Sequence, residues 1–345
     1  MKLCFIGFGF LLLTHSSYAN SQICDKRDDL LECQHITENI EYEDGMGNNT
    51  LRINFTQSFL PTLKSTLFEP FPDVVEASLA RNNIAFVRPD AFSNMRSLRK
   101  INLSKNSLVV LQENTFNNND KIEELDLGEN LIEKLNPNIF KNLHQLKYVD
   151  LSFNDLSTLP EKIFSTNGDL REIHLSHNIL FHIPANLFDK LPSLQIVDLS
   201  YNQIEEVPSD AFENNINLVE ILLNNNAIER FNAMSIEDLT ALAVINLTSN
   251  RLHEIGIEKV AENGDDVDGE LRSTNKFSFN KVYIAIVIVL AVILNFIRLA
   301  WVSVLNKFPA PHHATPQCSC SVSRLDRHFL LYFSFIFRSL PNFVF

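Results

Sequence analysis

The chain has 345 residues, 45% of them hydrophobic, and a formal net charge of −13. That length allows one large domain with further segments, and the acidity argues against a nucleic-acid binder, which needs a basic surface. Only 9 glycines against 27 phenylalanines argue against a glycine-rich phosphate cradle or linker and call for a large apolar interior.

The charge is unevenly spread. Residues 282–345 carry five basic groups (Arg298, Lys307, Arg324, Arg327, Arg338) against one acid, Asp326, and Lys2 is the one charge in 1–19, which leaves −18 on residues 20–281. An acidic body and a basic tail fit a body outside the cell and a tail in the cytoplasm.

Residues 1–19 read as a secretory signal peptide: Lys2, the apolar run Leu3–Leu13, then Ser17-Tyr18-Ala19 with small residues at the cleavage-defining positions. The other reading of this run is a buried first helix. Export permits oxidation. Cys24 and Cys33, close together in the chain, then read as one disulfide closing an N-terminal cap over residues 20–73. So short a loop contributes about 2–3 kcal/mol in the chain-entropy model.

From residue 74 to about 257 the chain repeats. Asn82, Asn106, Asn130, Asn154, Asn178, Asn202, Asn226 and Asn250 recur with a 24-residue period. Apolar columns run in phase with them, as in Leu146-x-x-Val149-x-Leu151-x-x-Asn154-x-Leu156. A phenylalanine column follows at 68, 92, 116, 140, 164, 188 and 212, with Ile236 last. A fixed period of this length means a solenoid of units that bury each other's apolar faces. A worn unit precedes the eight, with Ile53, Phe55 and Leu60 in phase and Ser58 in place of the asparagine.

The unit L-x-x-L-x-L-x-x-N-x-L-x-x-L/I/V-x-x-x-x-F-x-x-L resembles the 24-residue form of the extracellular leucine-rich repeat family, and the resemblance runs from position 74 to position 252. It implies an α/β-type horseshoe, with a parallel sheet on the concave face and an irregular or 3-10 convex side. The L-x-L alternation gives each short strand one apolar face. The asparagines turn inward, and a buried amide must be hydrogen-bonded, here to the turns of adjacent units. The phenylalanines form a spine along the convex side. Family members often close the far end with a cysteine-rich cap, but no cysteine lies between 34 and 317.

The positions flanking the strand leucines are the candidate ligand-binding surface. Units four to six place Tyr148, Phe153, His174, His177, Ile196 and Tyr201 there, and a group of exposed aromatics on one patch suits a protein-binding hot spot. Ordinary surface variation is the other reading. His174 falls between Asp150 and Asp198 on neighbouring strands, which would favour its charged form. The sequons at Asn48, Asn54, Asn102 and Asn246 are candidate N-glycosylation sites, and glycans at Asn102 and Asn246 would confine a ligand to the middle of the array.

Residues 258–281 form an acidic stalk, and Val282–Leu305 is an apolar run long enough to cross a bilayer as one transmembrane helix. A buried core helix is its alternative. The tail, 306–345, is short and partly apolar, and Cys318 and Cys320 are too few for a zinc site. No metal, cofactor or catalytic constellation is expected. The sequence therefore points to a single-pass plasma-membrane protein, its N-terminus extracellular, that binds an extracellular protein ligand or co-receptor and no nucleic acid. A secreted or lipid-anchored matrix or innate-immune protein is the alternative.

Overall fold

The computed structural model of the chain describes residues 23–256. The expected signal peptide, the stalk at 258–281, the transmembrane segment at 282–305 and the tail lie outside the described residues. Among the described residues, no helix is long and apolar enough to cross a membrane.

One eleven-stranded sheet organises this part of the chain, and its strands follow sequence order. An antiparallel hairpin, Ile23–Arg27 with Leu30–Gln34, opens it. Leu30–Gln34 then pairs in parallel with Arg52–Thr56, which pairs with Glu76–Ser78. From there each parallel step advances one full repeat, as in Tyr148 against Glu172 against Ile196, until Val244–Asn246. Most strands are three residues long, with the middle residue buried and its neighbours facing out. Beyond the sheet the chain runs through turns, with 3-10 helix at Ser65–Leu67 and Ala233–Ile236. This is the solenoid with a parallel sheet that the repeat implies.

Each strand of the eight repeats ends for the same reason. The residue just before every asparagine of the 24-residue series is left-handed, with φ from +52° to +62° between Arg81 and Ser249. That residue swings the chain off the sheet and aims the following amide inward. Asn154 shows the outcome. Its Nδ2 donates to the carbonyls of Leu151 and Ser152 in its own turn, both at 3.1 Å, and to Leu127 of the preceding unit at 3.0 Å. Its Oδ1 accepts the Ile132 N–H at 2.9 Å. Asn130, Asn178 and Asn202 repeat this pattern. In the worn unit Ser58 extends the ladder by another route, for its N–H donates to Asn82 Oδ1 and its Oγ accepts the Ile36 N–H.

The cap is tied by the Cys24–Cys33 disulfide between facing residues of the hairpin. Gly47 packs so tightly that a β-carbon there would fall 1.8 Å from the Pro70 carbonyl oxygen. Phe55 and the phenylalanine column are buried throughout.

A second asparagine series escaped the sequence reading. Three residues after each spine phenylalanine from Phe92 onward stand, in turn, Met95, Asn119, Leu143, Asn167, Leu191 and Asn215. Apolar side chain and amide alternate, a 48-residue period laid over the 24-residue one. Each amide donates to two carbonyls of the preceding unit, as Asn167 does to Phe140 at 3.0 Å and Leu143 at 2.7 Å. The spine rings stack across those same junctions: Phe92 on Phe116, Phe140 on Phe164 and Phe188 on Phe212, with centroids 5.5 to 6.0 Å apart. The convex side is thus fastened in pairs of units. The Oδ1 atoms of Asn119, Asn167 and Asn215 are buried and accept no hydrogen bond from the protein.

The two series predict different responses. Asn154→Ala strands one buried N–H and several carbonyls, and should cost about 1–3 kcal/mol in urea unfolding. Asn167→Leu removes an amide whose acceptor is already unmatched and installs the residue that alternate units carry, so its loss should be clearly smaller. Equal losses would mean that the second series is as indispensable as the first.

Candidate ligand-binding edge of the sheet

The six residues expected to form one patch fall into two groups. Tyr148, His174 and Ile196 lie on strands of the sheet and face outward, each half-buried. Phe153, His177 and Tyr201 occupy the left-handed turns at the strand ends, with φ of +53°, +54° and +54°. The strand group belongs to the concave face. Tyr148 closes one side of a hollow shared with Arg52, Asn54, Lys100, Asn102 and Asp126. Its hydroxyl donates to Asp150 Oδ2 at 3.4 Å.

His174 stands in register between Asp150 and Asp198, as the spacing implies. Those carboxylates are turned to other work. Asp150 Oδ1 accepts the Ser152 N–H at 2.7 Å, and Asp198 Oδ1 the Ser200 N–H at 2.9 Å. The carboxylate nearest the His174 ring is Glu172, 3.5 Å from Nε2, and the Tyr148 ring lies beside it at 5.2 Å.

The turn group is a stacked ladder. Phe153 and His177 have ring centroids 4.1 Å apart with planes 9° from parallel, and His177 and Tyr201 are 4.2 Å apart at 10°. Strands sit about 4.8 Å apart, so three flat rings at one phase of three successive units are brought to stacking distance by the backbone itself. The ladder remains open to solvent, with Phe153 50% and Tyr201 48% exposed. Leu131, Ile179 and Phe181, missed from the sequence, are further exposed apolar side chains in these units. Together Leu131, Phe153, His177 and Tyr201 line one shallow groove along the sheet's edge. His174 and His177 therefore serve different surfaces, and among the described residues no group of three or more His, Cys, Asp or Glu side chains converges on a metal position.

The concave face beside this groove is acidic. The strands from Glu124–Asp126 to Glu220–Leu222 present Glu124, Asp126, Asp150, Glu172, Asp198 and Glu220, and none of them contains a lysine or arginine. Lys100 offsets Glu124 from the preceding strand at 2.7 Å. Asp126 and Asp150 converge over Gly128, where a β-carbon would lie 3.3 Å from an oxygen of each. Burial raises the Asp126 carboxyl above its ordinary value, and the Asp150 charge adds to the rise.

Comparisons with known proteins accord with this architecture. The model of the leucine rich repeat matches four times, at residues 72–131, 96–156, 145–204 and 192–252. Those segments span more than half of the chain. The chain belongs to the leucine-rich repeat family. Among solved structures it resembles TLR13 in its complex with ssRNA13, with a TM-score of 0.54 and 22% identity over 61% of this chain and 33% of that one. It also resembles Toll in the Toll–Spatzle complex of Drosophila, with a TM-score of 0.56 and 24% identity over 60% of this chain and 31% of that one. The chain thus spans about a third of the length of these structures, and the likeness is one of fold. No curated protein sequence matches the chain.

Within this leucine-rich repeat array the aromatic ladder is costly. A left-handed residue other than glycine costs about 1–3 kcal/mol, and asparagine tolerates the region best. Unit seven has an asparagine in this column, Asn225, with φ +57°. Phe153→Asn and Tyr201→Asn should therefore melt no lower than the parent, because relief of backbone strain offsets the roughly 0.5–1.5 kcal/mol of stacking lost. A large fall in melting temperature would show the ladder to be structural.

Asp126→Asn should raise stability at neutral pH. With its folded pKa above the ordinary 3.8, Asp126 favours the folded state only while protonated, and that contribution disappears as pH rises through the folded value. The gain from the amide should accordingly shrink as pH falls through the carboxylate range. Melting curves at several pH values check both parts.

Proposed function

We propose that this protein is displayed at the cell surface and binds a protein ligand through the edge of its sheet, acting as an adhesion molecule or co-receptor. The observation that carries the reading is the Phe153–His177–Tyr201 ladder. Three aromatic rings held in unfavourable backbone conformations and left half-exposed contribute little to folding, and their geometry suits a contact surface. Tyr148, His174 and Ile196 form the adjoining concave wall. The fold itself presents a broad sheet suited to binding, and its structural neighbours include Toll bound to Spatzle. Export rests on the leader-like residues 1–19, display on the apolar run 282–305, and oxidation of the cap on Cys24–Cys33.

The sequons fit the same reading. Asn102 and Asn246 each accept hydrogen bonds through Oδ1 from the backbone and hydroxyl of their own Ser104 and Thr248, which leaves Nδ2 for a glycan. Asn54 lies in the hollow with Asn102, and Asn48 is exposed on the cap. Glycans at Asn54 and Asn102 would fill the hollow and direct a ligand toward the later units.

Cross-linking on intact cells that express the full chain tests the proposal. The chain should be labelled by a membrane-impermeant reagent, and its cross-links to a partner protein should vanish in a Phe153→Ala/Tyr201→Ala variant that still reaches the surface. A chain retained inside the cell, or cross-links indifferent to the two substitutions, would refute it.

A further inference from the structure

We infer that the partner segment seated on this edge is cationic and carries apolar anchors: a stretch of protein with arginine or lysine alternating with large apolar side chains. The inference rests on the reading of the ladder as a contact surface and adds the chemistry of its occupant. Two surfaces meet at the strand ends. One is the apolar groove of Phe153, His177 and Tyr201. The other is the acidic concave face, where Asp150, Glu172 and Asp198 lie on three successive strands, between Asp126 and Glu220. The face thus gathers like charges, with Asp126 and Asp150 on adjacent rungs about 4.8 Å apart and the others spaced by Tyr148, His174 and Ile196. The convergence of Asp126 and Asp150 over Gly128 is the tightest instance.

Exposed carboxylates of the groove's own flank, Glu133, Asp155 and Glu205, continue the same sign. Nearby basic groups are fewer than the acids: Lys134 and Arg230 on the flank, Lys105, which is paired with Glu129 at 2.9 Å, and, at the opposite ends of the strands, the exposed Arg171 and also Lys147, which is paired with Glu123 at 2.6 Å. A polyanion would meet this field as repulsion, whereas a cationic segment relieves it and lays its apolar side chains into the groove. Arginine fits especially well, since its planar group stacks on aromatic rings and forks onto carboxylates.

The test uses the full chain in detergent and fluorescent probes of equal length: a peptide alternating arginine and leucine, one alternating glutamate and leucine, one alternating arginine and serine, and an oligothymidylate. The arginine–leucine peptide should bind, and more weakly as salt is raised. The arginine–serine peptide should bind about tenfold more weakly for want of anchors. The glutamate–leucine peptide and the oligothymidylate should not bind. An Asp150→Ser/Glu172→Gln/Asp198→Ser variant should lose about tenfold in affinity and most of the salt dependence. Serine is used because asparagine at either aspartate would complete a sequon with Ser152 or Ser200, and Ser78 holds this place in the first unit.

Tight binding by the glutamate–leucine peptide or the oligothymidylate, or undiminished binding by the neutralised variant, would overturn the inference. If surface cross-links depend on Phe153 and Tyr201 while the arginine–leucine peptide fails to bind, the contact surface stands and the cationic occupant falls. If the peptide binds and the cross-links ignore those residues, the reverse holds.

Discussion

The buried asparagine amide is the constraint on which the rest of this fold depends. A solenoid must turn the chain off its sheet once per unit, and each turn leaves backbone groups pointing into an apolar interior. One amide answers most of them: Nδ2 of Asn154 serves three carbonyls and its Oδ1 serves an N–H of the preceding unit. A net gain of about 1 kcal/mol per hydrogen bond understates its role, because the alternative is several unsatisfied groups at about 1–3 kcal/mol each. Since the amide couples its own turn to the turn before it, it fixes the step between units as well as the turn. Ser58 shows the minimum requirement: a shorter group serves where the array meets its cap and only part of the bonding must be met.

That geometry has a consequence one residue upstream. To aim the amide inward, the preceding residue must be left-handed, and in this chain the column holds Arg81, Lys105, Glu129, Phe153, His177, Tyr201, Asn225 and Ser249. The strain is tolerated because each turn is bonded onward to the next unit, as when the Phe153 N–H donates to the Ser176 carbonyl at 2.9 Å and that of His177 to Ser200 at 3.0 Å. The side chain at this position is therefore free of any role in the interior and stands at the sheet's rim in every unit. It is the natural place for recognition residues. Three consecutive rings there become a stack through the unit spacing alone.

The repeat, the inward amides, the phenylalanine spine and the Cys24–Cys33 pairing were legible in the sequence because each is a local pattern with a single period or a short loop. The 48-residue alternation of Met95, Asn119, Leu143, Asn167, Leu191 and Asn215 was not. It appears only when units are compared in pairs, and in a single unit an asparagine near the turn looks like an ordinary surface residue. The patch was half legible. Tyr148 and Phe153 share a unit, but the alternation that defines a face stops at Asp150 where the strand ends. Beyond that point sequence phase no longer reports which way a side chain faces, so the ladder moved from the concave face to its rim. Leu131, Ile179 and Phe181 were passed over for the same reason.

The acidic face reflects a different balance. Side chains on the outward positions of the strands are not needed by the interior, and a neutral or mixed set would have kept like charges apart. Instead six carboxylates collect on five successive strands, and two of them, Asp126 and Asp150, stand on adjacent rungs, where burial and the Asp150 charge together raise the Asp126 carboxyl. Free of a partner, the charged Asp126 beside Asp150 on this face holds the array below the stability its core allows. The strained aromatic column beside it acts in the same direction. Two adjacent surfaces that each lower the stability of the isolated chain, and that are complementary in chemistry to one kind of occupant, are easier to explain as halves of one contact than as two unrelated defects.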